Sequence, residues 1–92
     1  MLKSVAKELV VVVVPALRVD AVGAKGLGVS RSYFQKGLKA GNVLLDGVPA
    51  KAKDEVRPGS VIEARGLGRV VVKEVLGRTA RGNYKVRLER SS

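Results

Sequence analysis

Polar and apolar residues follow a helical repeat between Ser30 and Gly41. At about 100° per residue, polar side chains occupy an arc of about 140° and apolar ones occupy the rest. Ser30 can accept a hydrogen bond from a free amide of the first helical turn, and Gly41 suits the left-handed conformation that ends many helices. We therefore predict a helix from about Arg31 to Ala40. Its buried face is expected to include Tyr33, Phe34 and Leu38, and its polar face Arg31, Ser32, Gln35, Lys36 and Lys39.

Shorter apolar runs flank this helix on both sides. The run from Leu9 to Ala16 contains five consecutive valines and is too short to span a bilayer, so we predict a buried or edge strand that ends at Pro15. Asp46 and Gly47 separate two apolar stretches and both tolerate positive φ, which indicates a tight hairpin. Residues 70–88 contain short apolar runs and then strict alternation, which predicts further strands.

Four motifs follow one another between Leu17 and Arg65: Leu-Arg-Val-Asp, Ser-Arg-Ser, Gly-Asn-Val-Leu-Leu-Asp-Gly and Arg-Pro-Gly-Ser-Val-Ile. In this order they resemble the S4 RNA-binding domain. The remainder, as far as Arg90, more loosely resembles a bacterial and plastid subgroup with this domain at the C-terminus, linked in some members to cell division or photosystem II assembly. The resemblance implies an α+β fold with two short helices packed on a small, mostly antiparallel sheet and extra C-terminal β-strands.

The motifs divide the chain into three parts. We expect residues 1–16 to form an N-terminal strand or the remnant of an upstream region. Residues 17–65 are the S4-like domain, and residues 66–92 are expected to be a C-terminal β-strand extension packed on the same domain. Because proteins of the subgroup extend well upstream, one interpretation is that the chain is a fragment of a larger protein.

Phe34 and Gly37 depart from the family pattern, which prefers a small residue at the first position and a large aliphatic residue at the second. Residues three apart on a helix are neighbours, so we expect the Phe34 ring to fill the space left at Gly37. Gly23, Gly26 and Gly28 are expected to end the first helix and to link it to the second.

The formal net charge of +10 comes from two parts of the chain. Cations outnumber acidic residues in residues 17–41 and 64–90, which is the distribution expected of a polyanion binder. The chain contains no Cys and no His, which excludes disulfides, thiolate nucleophiles, thiolate-bound metals and His-based catalytic triads. We therefore predict a cytoplasmic binding module that is not an enzyme and uses no cofactor or metal.

The resemblance implies binding of structured ribosomal or transfer RNA through the helical face. Only three aromatic residues occur, and we expect all of them on apolar faces, so phosphate contacts should dominate over base stacking. The family's binding surface corresponds here to Arg18, Ser30, Arg31, Lys36, Lys39 and Asn42. Lys25 and Gln35 belong to the same predicted surface, and Arg65 and Arg69 are added from charge alone.

Two other classes of function remain open at this point. A general polyanion or duplex-DNA binder would have the same net charge. A protein-interaction module could pair through the valine run, Val10 to Val14, as an exposed strand edge. The ribosome is a further candidate partner, no membrane association is expected, and the sequence does not set the oligomeric state.

Overall fold

The computed structural model describes residues 7–91, which form two helices packed on a six-stranded sheet. Helices α1 and α2 span Val19–Leu27 and Arg31–Lys39. The strands are β1 (Lys7–Val14), β2 (Val43–Leu45), β3 (Val48–Pro49), β4 (Val61–Ala64), β5 (Gly68–Arg78) and β6 (Tyr84–Ser91). The predicted α+β fold is confirmed. The part of the 1–16 prediction that concerns residues 1–6 lies outside the described residues.

The strand order is β1-β6-β5-β4-β2-β3, and every neighbouring pair in this described sheet is antiparallel. The valine run forms β1, an edge strand that pairs with β6 from Lys7 opposite Ser91 to Val14 opposite Tyr84. β1 ends immediately before Pro15, which has no N–H to donate to a ladder. The last two strands therefore belong to the same sheet as the hairpin that follows α2.

The core lies where α1 covers β1, β5 and β6. Alternate residues of a strand point to opposite faces of a sheet, and the fully buried side chains follow this rule at Val70 and Val72 in β5 and at Val86 and Leu88 in β6. Most residues of α1 are buried as well. The first helix is therefore nearly enclosed, whereas α2 lies outside it and is left largely accessible.

Both predicted ends of α2 are confirmed. The Ser30 Oγ atom accepts a hydrogen bond from the Tyr33 amide at 3.1 Å. After the helix, Gly41 has φ +78° and its amide donates to the Leu38 carbonyl at 3.1 Å. The amide of this left-handed residue satisfies a carbonyl that would otherwise lack a partner at the helix end.

The predicted hairpin is also present. Asp46 and Gly47 both have positive φ, 51° and 83°, as a two-residue turn between twisted strands requires. The Asp46 carboxylate additionally accepts a hydrogen bond from the Val61 amide at 2.9 Å. The turn is therefore tied to β4 as well as closing β2 onto β3.

Gly23 and Gly26 do not end the first helix, so that prediction is wrong for both; α1 continues past them and stops at Gly28, where φ is +71°. A Cβ placed on Gly23 would lie 2.2 Å from the Phe34 ring, and one on Gly26 would lie 2.9 Å from the Val70 side chain. At these two positions, α2 and the sheet lie so close to α1 that there is no room for a side chain.

The expected exchange between Phe34 and Gly37 is wrong. The Phe34 side chain is 1% exposed, and its ring lies against Gly23 of the other helix. A Cβ on Gly37 would meet only the Val43 Cγ2 atom, at an ordinary contact distance of 3.6 Å. Phe34 thus fills space at the contact between the helices, and the space beside Gly37 stays open.

Tyr33 is not buried, contrary to the prediction, and its side chain is 55% exposed. The buried face of α2 is narrower than its apolar side, because only Phe34 and Leu38 of this helix are buried. The helical face therefore presents an aromatic ring beside its cations.

We expect Gly23→Ala and Gly37→Ala to have opposite effects on stability. The first should lower the free energy of unfolding by about 1 to 3 kcal/mol, because overlap with the Phe34 ring outweighs the better helix propensity of alanine. The second should raise it by up to about 1 kcal/mol, because only the gain in propensity remains. Urea unfolding followed by circular dichroism measures both, and equal effects would contradict the packing of Phe34 against Gly23.

Candidate nucleic-acid interface

A buried carboxylate joins the two helices. Asp20, in the first turn of α1, is 0% exposed, and its Oδ1 atom accepts a hydrogen bond from the Ala21 amide at 2.8 Å. Its Oδ2 atom accepts from Arg18 Nη2 at 2.7 Å and from Arg31 Nη2 at 3.1 Å. Gln35 Nε2 donates to the same oxygen at 3.3 Å. Asp20 thus binds Arg18, which precedes α1, and Arg31 and Gln35 of α2. Together with Asp20, these residues are called the Asp20 cluster.

The surroundings of Asp20 keep it ionised. Burial alone would raise the pKa of Asp20, but hydrogen bonds from Arg18, Arg31 and Gln35, together with the charge of Arg31, lower this pKa to about 2. The hydrogen bond between Arg18 and Asp20 also raises the pKa of Arg18 above its usual value. The Arg18 and Arg31 side chains remain 34% and 44% exposed, so the cluster presents net positive charge to solvent.

The segment after β3 fixes where α1 begins. The amides of Val19 and Asp20 donate to the carbonyls of Asp54 and Ala52, at 2.9 and 3.3 Å. Amides in the first turn of a helix have no partner within the helix, so these bonds satisfy two of them. The same two bonds attach the start of α1, where Arg18 and Asp20 lie next to each other, to the segment after β3.

Two grooves adjoin the Asp20 cluster. Lys25 and Arg31 line one of them, beside α1. Gln35 and Lys39 line the other, together with Lys51 from the segment after β3. Because Arg31 and Gln35 belong to both the cluster and a groove, the cluster lies between two surfaces that carry further cations. The structure therefore brings these predicted binding residues onto one helical surface.

A third groove, called the α2 groove, lies between α2 and the turn that joins β4 to β5. Its volume is about 270 Å³, and its lining includes Tyr33, Lys36, Asn42 and Arg65. The Arg65 amide donates to the Asn42 carbonyl at 2.9 Å, which fixes the two predicted residues side by side. Arg65, predicted from charge alone, therefore lies next to α2 residues predicted from the resemblance.

Two predicted site residues, Arg69 and Ser30, do not line any of these three grooves. Arg69 lies on β5 opposite Glu63 and Ser91, and it shares a surface depression with Arg65 but with no side chain of either helix. Ser30 is exposed, and its hydroxyl oxygen is used to cap α2. Ser30 thus fixes the start of the helix on which the binding surface lies.

The sequence predictions did not include Asp20, Tyr33 or Lys51 among the site residues. An acidic residue two positions after Arg18, within a basic segment, was an available signal for Asp20. Tyr33 was assigned to the buried side of a helix whose covered stripe is narrower than its apolar pattern. Lys51 carries no local signal, because it reaches the helices only through the folding of its segment against α1.

Residues 7–91 contain neither a candidate metal cluster nor a membrane-spanning helix. Within that range, no group of three or more His, Cys, Asp or Glu side chains could hold a metal ion. None of the helices there has the length and apolar character needed to cross a membrane.

Comparison with family models finds a match to the S4 domain over residues 17–62. The chain belongs to the S4 domain family. The match runs from the start of the Asp20 cluster into β4, so it includes both helices and the hairpin. S4 domains are RNA-binding modules, not typically catalytic, and membership supports RNA binding in general. A search of curated proteins finds no match to this chain.

The stability of this S4 domain at low pH tests the Asp20 cluster. Because the folded pKa of Asp20 is about 2 and its ordinary value is 3.8, its ionised form stabilises the fold above about pH 4. This stabilisation is lost as the pH falls through 2. Asp20→Asn should lower the free energy of unfolding at neutral pH by roughly 1 to 2 kcal/mol, a value reduced by the solvent exposure of both arginines.

Unfolding titrations at several acidic pH values measure this difference. Asp20→Asn should lose less stability than the wild type on acidification, because the mutant has no carboxylate to protonate at this position. Glu63→Gln, which removes an exposed carboxylate from β4, serves as the control. Parallel pH profiles for the wild type and Asp20→Asn would contradict the assigned role.

Proposed function

We propose that this S4 domain binds structured RNA, ribosomal or transfer RNA, in the cytoplasm, without catalysis, and through the surface formed by α1, α2 and the segment after β3. The Asp20 cluster carries this proposal. It holds two partly exposed guanidinium groups, and each guanidinium can donate to two phosphate oxygens at once. Because a carboxylate already orients both side chains, less conformational entropy is lost when RNA binds.

The charges around the cluster support the same surface. Lys25, Lys39 and Lys51 lie on the adjoining grooves, and the sequence of α2 contains no acidic residue. A surface of one sign of charge attracts a polyanion and orients it during approach. The helical face therefore presents cations that are not opposed by carboxylates on α2.

Two cations of β6 are paired with exposed carboxylates. Arg87 Nη1 lies 2.8 Å from Glu74 Oε1, and Arg90 Nη2 lies 3.0 Å from Glu8 Oε1. These exposed ion pairs contribute little to stability but lower the charge that the strands present. Together with Lys25, Lys39 and Lys51 beside the Asp20 cluster, these pairs favour the helical surface over β6 as the principal RNA contact.

Exposed residues of β1 favour a protein partner as a second candidate. Leu9, Val11 and Val13 alternate along this edge strand, and their side chains are 63%, 53% and 40% exposed. An exposed apolar edge strand can pair with a strand from another chain. Sizing the protein with and without RNA distinguishes pairing through β1 from RNA binding.

Two charge-matched double variants test which surface binds RNA. Lys25→Ala with Lys39→Ala removes two cations from the helical surface, and Arg81→Ala with Lys85→Ala removes two from the β5–β6 hairpin. The first pair should weaken binding to a transfer RNA transcript by at least about tenfold, because the loss of each charge-assisted hydrogen bond to phosphate lowers the affinity by a comparable factor. The second pair should weaken binding much less. Filter binding or fluorescence anisotropy at one salt concentration measures both.

A larger loss from the hairpin pair would contradict the proposed surface. Competition with duplex DNA of matched length completes the comparison. Equal competition by the DNA and the RNA would favour the general polyanion binder instead.

The salt dependence of binding tests whether phosphate contacts dominate. The logarithm of affinity should fall linearly with the logarithm of salt concentration, by about 0.7 to 0.9 per neutralised phosphate. If roughly four cations reach phosphates, the slope should be about −3 to −4. Lys39→Ala should make it shallower by about one and weaken different folded RNAs alike. A nearly flat slope for the wild type would contradict phosphate-led binding.

A further inference from the structure

We propose that the α2 groove binds an unpaired base of the RNA, which stacks on Tyr33 while Lys36 and Arg65 contact the adjoining phosphates. This inference rests on the proposed function, because the base arrives as part of the same RNA. Stacking on Tyr33 distinguishes an RNA that has an unpaired base from one that has none, which the phosphate contacts of the rest of the surface do not do.

The exposure of Tyr33 is the first observation behind this inference. Its side chain is 55% exposed although it borders a groove, and it is the most exposed of the three aromatic residues in the chain. Lys36 follows it by one helical turn and lines the same groove. An aromatic ring next to a cation suits a nucleotide, because every base has a face that can stack and every linkage carries a negative charge.

The floor of the groove is the second observation. Gly37 lies inside α2, where glycine lowers helix stability, yet an added Cβ would meet only Val43 Cγ2 at 3.6 Å. The packing of the protein therefore does not require glycine at this position. The space that Gly37 leaves open has an apolar floor, made by Phe34, Val43, Ala64 and Leu67.

The rim of the groove supplies polar groups. The Asn42 backbone is fixed on both sides, since its amide donates to the Gly37 carbonyl and its carbonyl accepts from the Arg65 amide, both at 2.9 Å. The Asn42 side chain is exposed, and an amide can both donate to and accept from the edge of a base. No carboxylate lines this groove within the described residues.

The groove is smaller than a typical site for a whole small-molecule ligand. Its volume of about 270 Å³ lies just below the lower limit of about 300 Å³ for small-molecule pockets. An apolar floor, an exposed ring and a cationic rim match a planar group attached to phosphates.

Two hairpin RNAs test the inference. One carries a single unpaired nucleotide in its stem, and the other is the same hairpin with that nucleotide deleted. The wild type should bind the bulged hairpin more tightly, on the order of tenfold, because one base–aromatic stack is added. Fluorescence anisotropy with each labelled RNA gives the ratio of the two affinities.

Variants of the groove should change this ratio specifically. Tyr33→Leu and Gly37→Leu should both reduce it to about one, the first by removing the ring and the second by filling the groove. Tyr33→Phe should keep the ratio, because the stacking face remains. Lys39→Ala, which lies outside the groove, should weaken both hairpins alike. Circular dichroism confirms that each variant is folded.

The outcomes separate this inference from the proposed function. If the wild type binds both hairpins equally and Tyr33→Leu binds like the wild type, the base site is wrong and the proposed RNA binding stands. A groove that receives a protein segment instead would give this same result. If neither hairpin binds better than duplex DNA of matched length, the proposed function itself fails.

Discussion

The hydrogen bonds of one buried carboxylate connect the fold of this S4 domain to its surface. Asp20 lies in the first turn of α1 and holds Arg31 and Gln35 from α2, so the relation between the two helices depends on it. Removing Arg18 or Arg31 would be costly, because the Asp20 carboxylate that remains is buried away from water. The same bonds orient Arg18 and Arg31 at the surface. One group thus contributes to the packing of the helices and to the arrangement of the cations.

The glycines of α1 impose the second constraint. Gly23 and Gly26 lower the helix propensity of a short segment, and in isolation they suggest that the helix ends early. The two glycines allow close packing with other parts of the chain, because the Phe34 ring and the Val70 side chain occupy the space that side chains at these positions would need. α1 can therefore lie close to α2 on one side and to the sheet on another.

Features governed by local chemistry could be predicted from the sequence. The cap at Ser30, the left-handed residue Gly41 and the turn at Asp46 depend on residues next to them along the chain, and all three are present. Tyr33 and Asp20 could not be placed in the same way. A helical repeat shows which side of α2 is apolar, but the packing of α2 on the rest of the fold decides how much of that side is covered. Likewise, the partners of Asp20 on α2 depend on how the two helices meet.

The pairing of β1 with β6 has a consequence for how the chain folds. The other neighbouring strands follow one another closely along the chain, whereas β1 and β6 come from opposite ends of the described residues. Bringing such distant segments together costs loop-closure entropy before any contact between them forms, and non-local pairing of this kind slows folding. The helices and the strands from β2 to β6 can assemble through nearer contacts. We therefore expect β1 to dock late in folding, where it completes the core beneath α1.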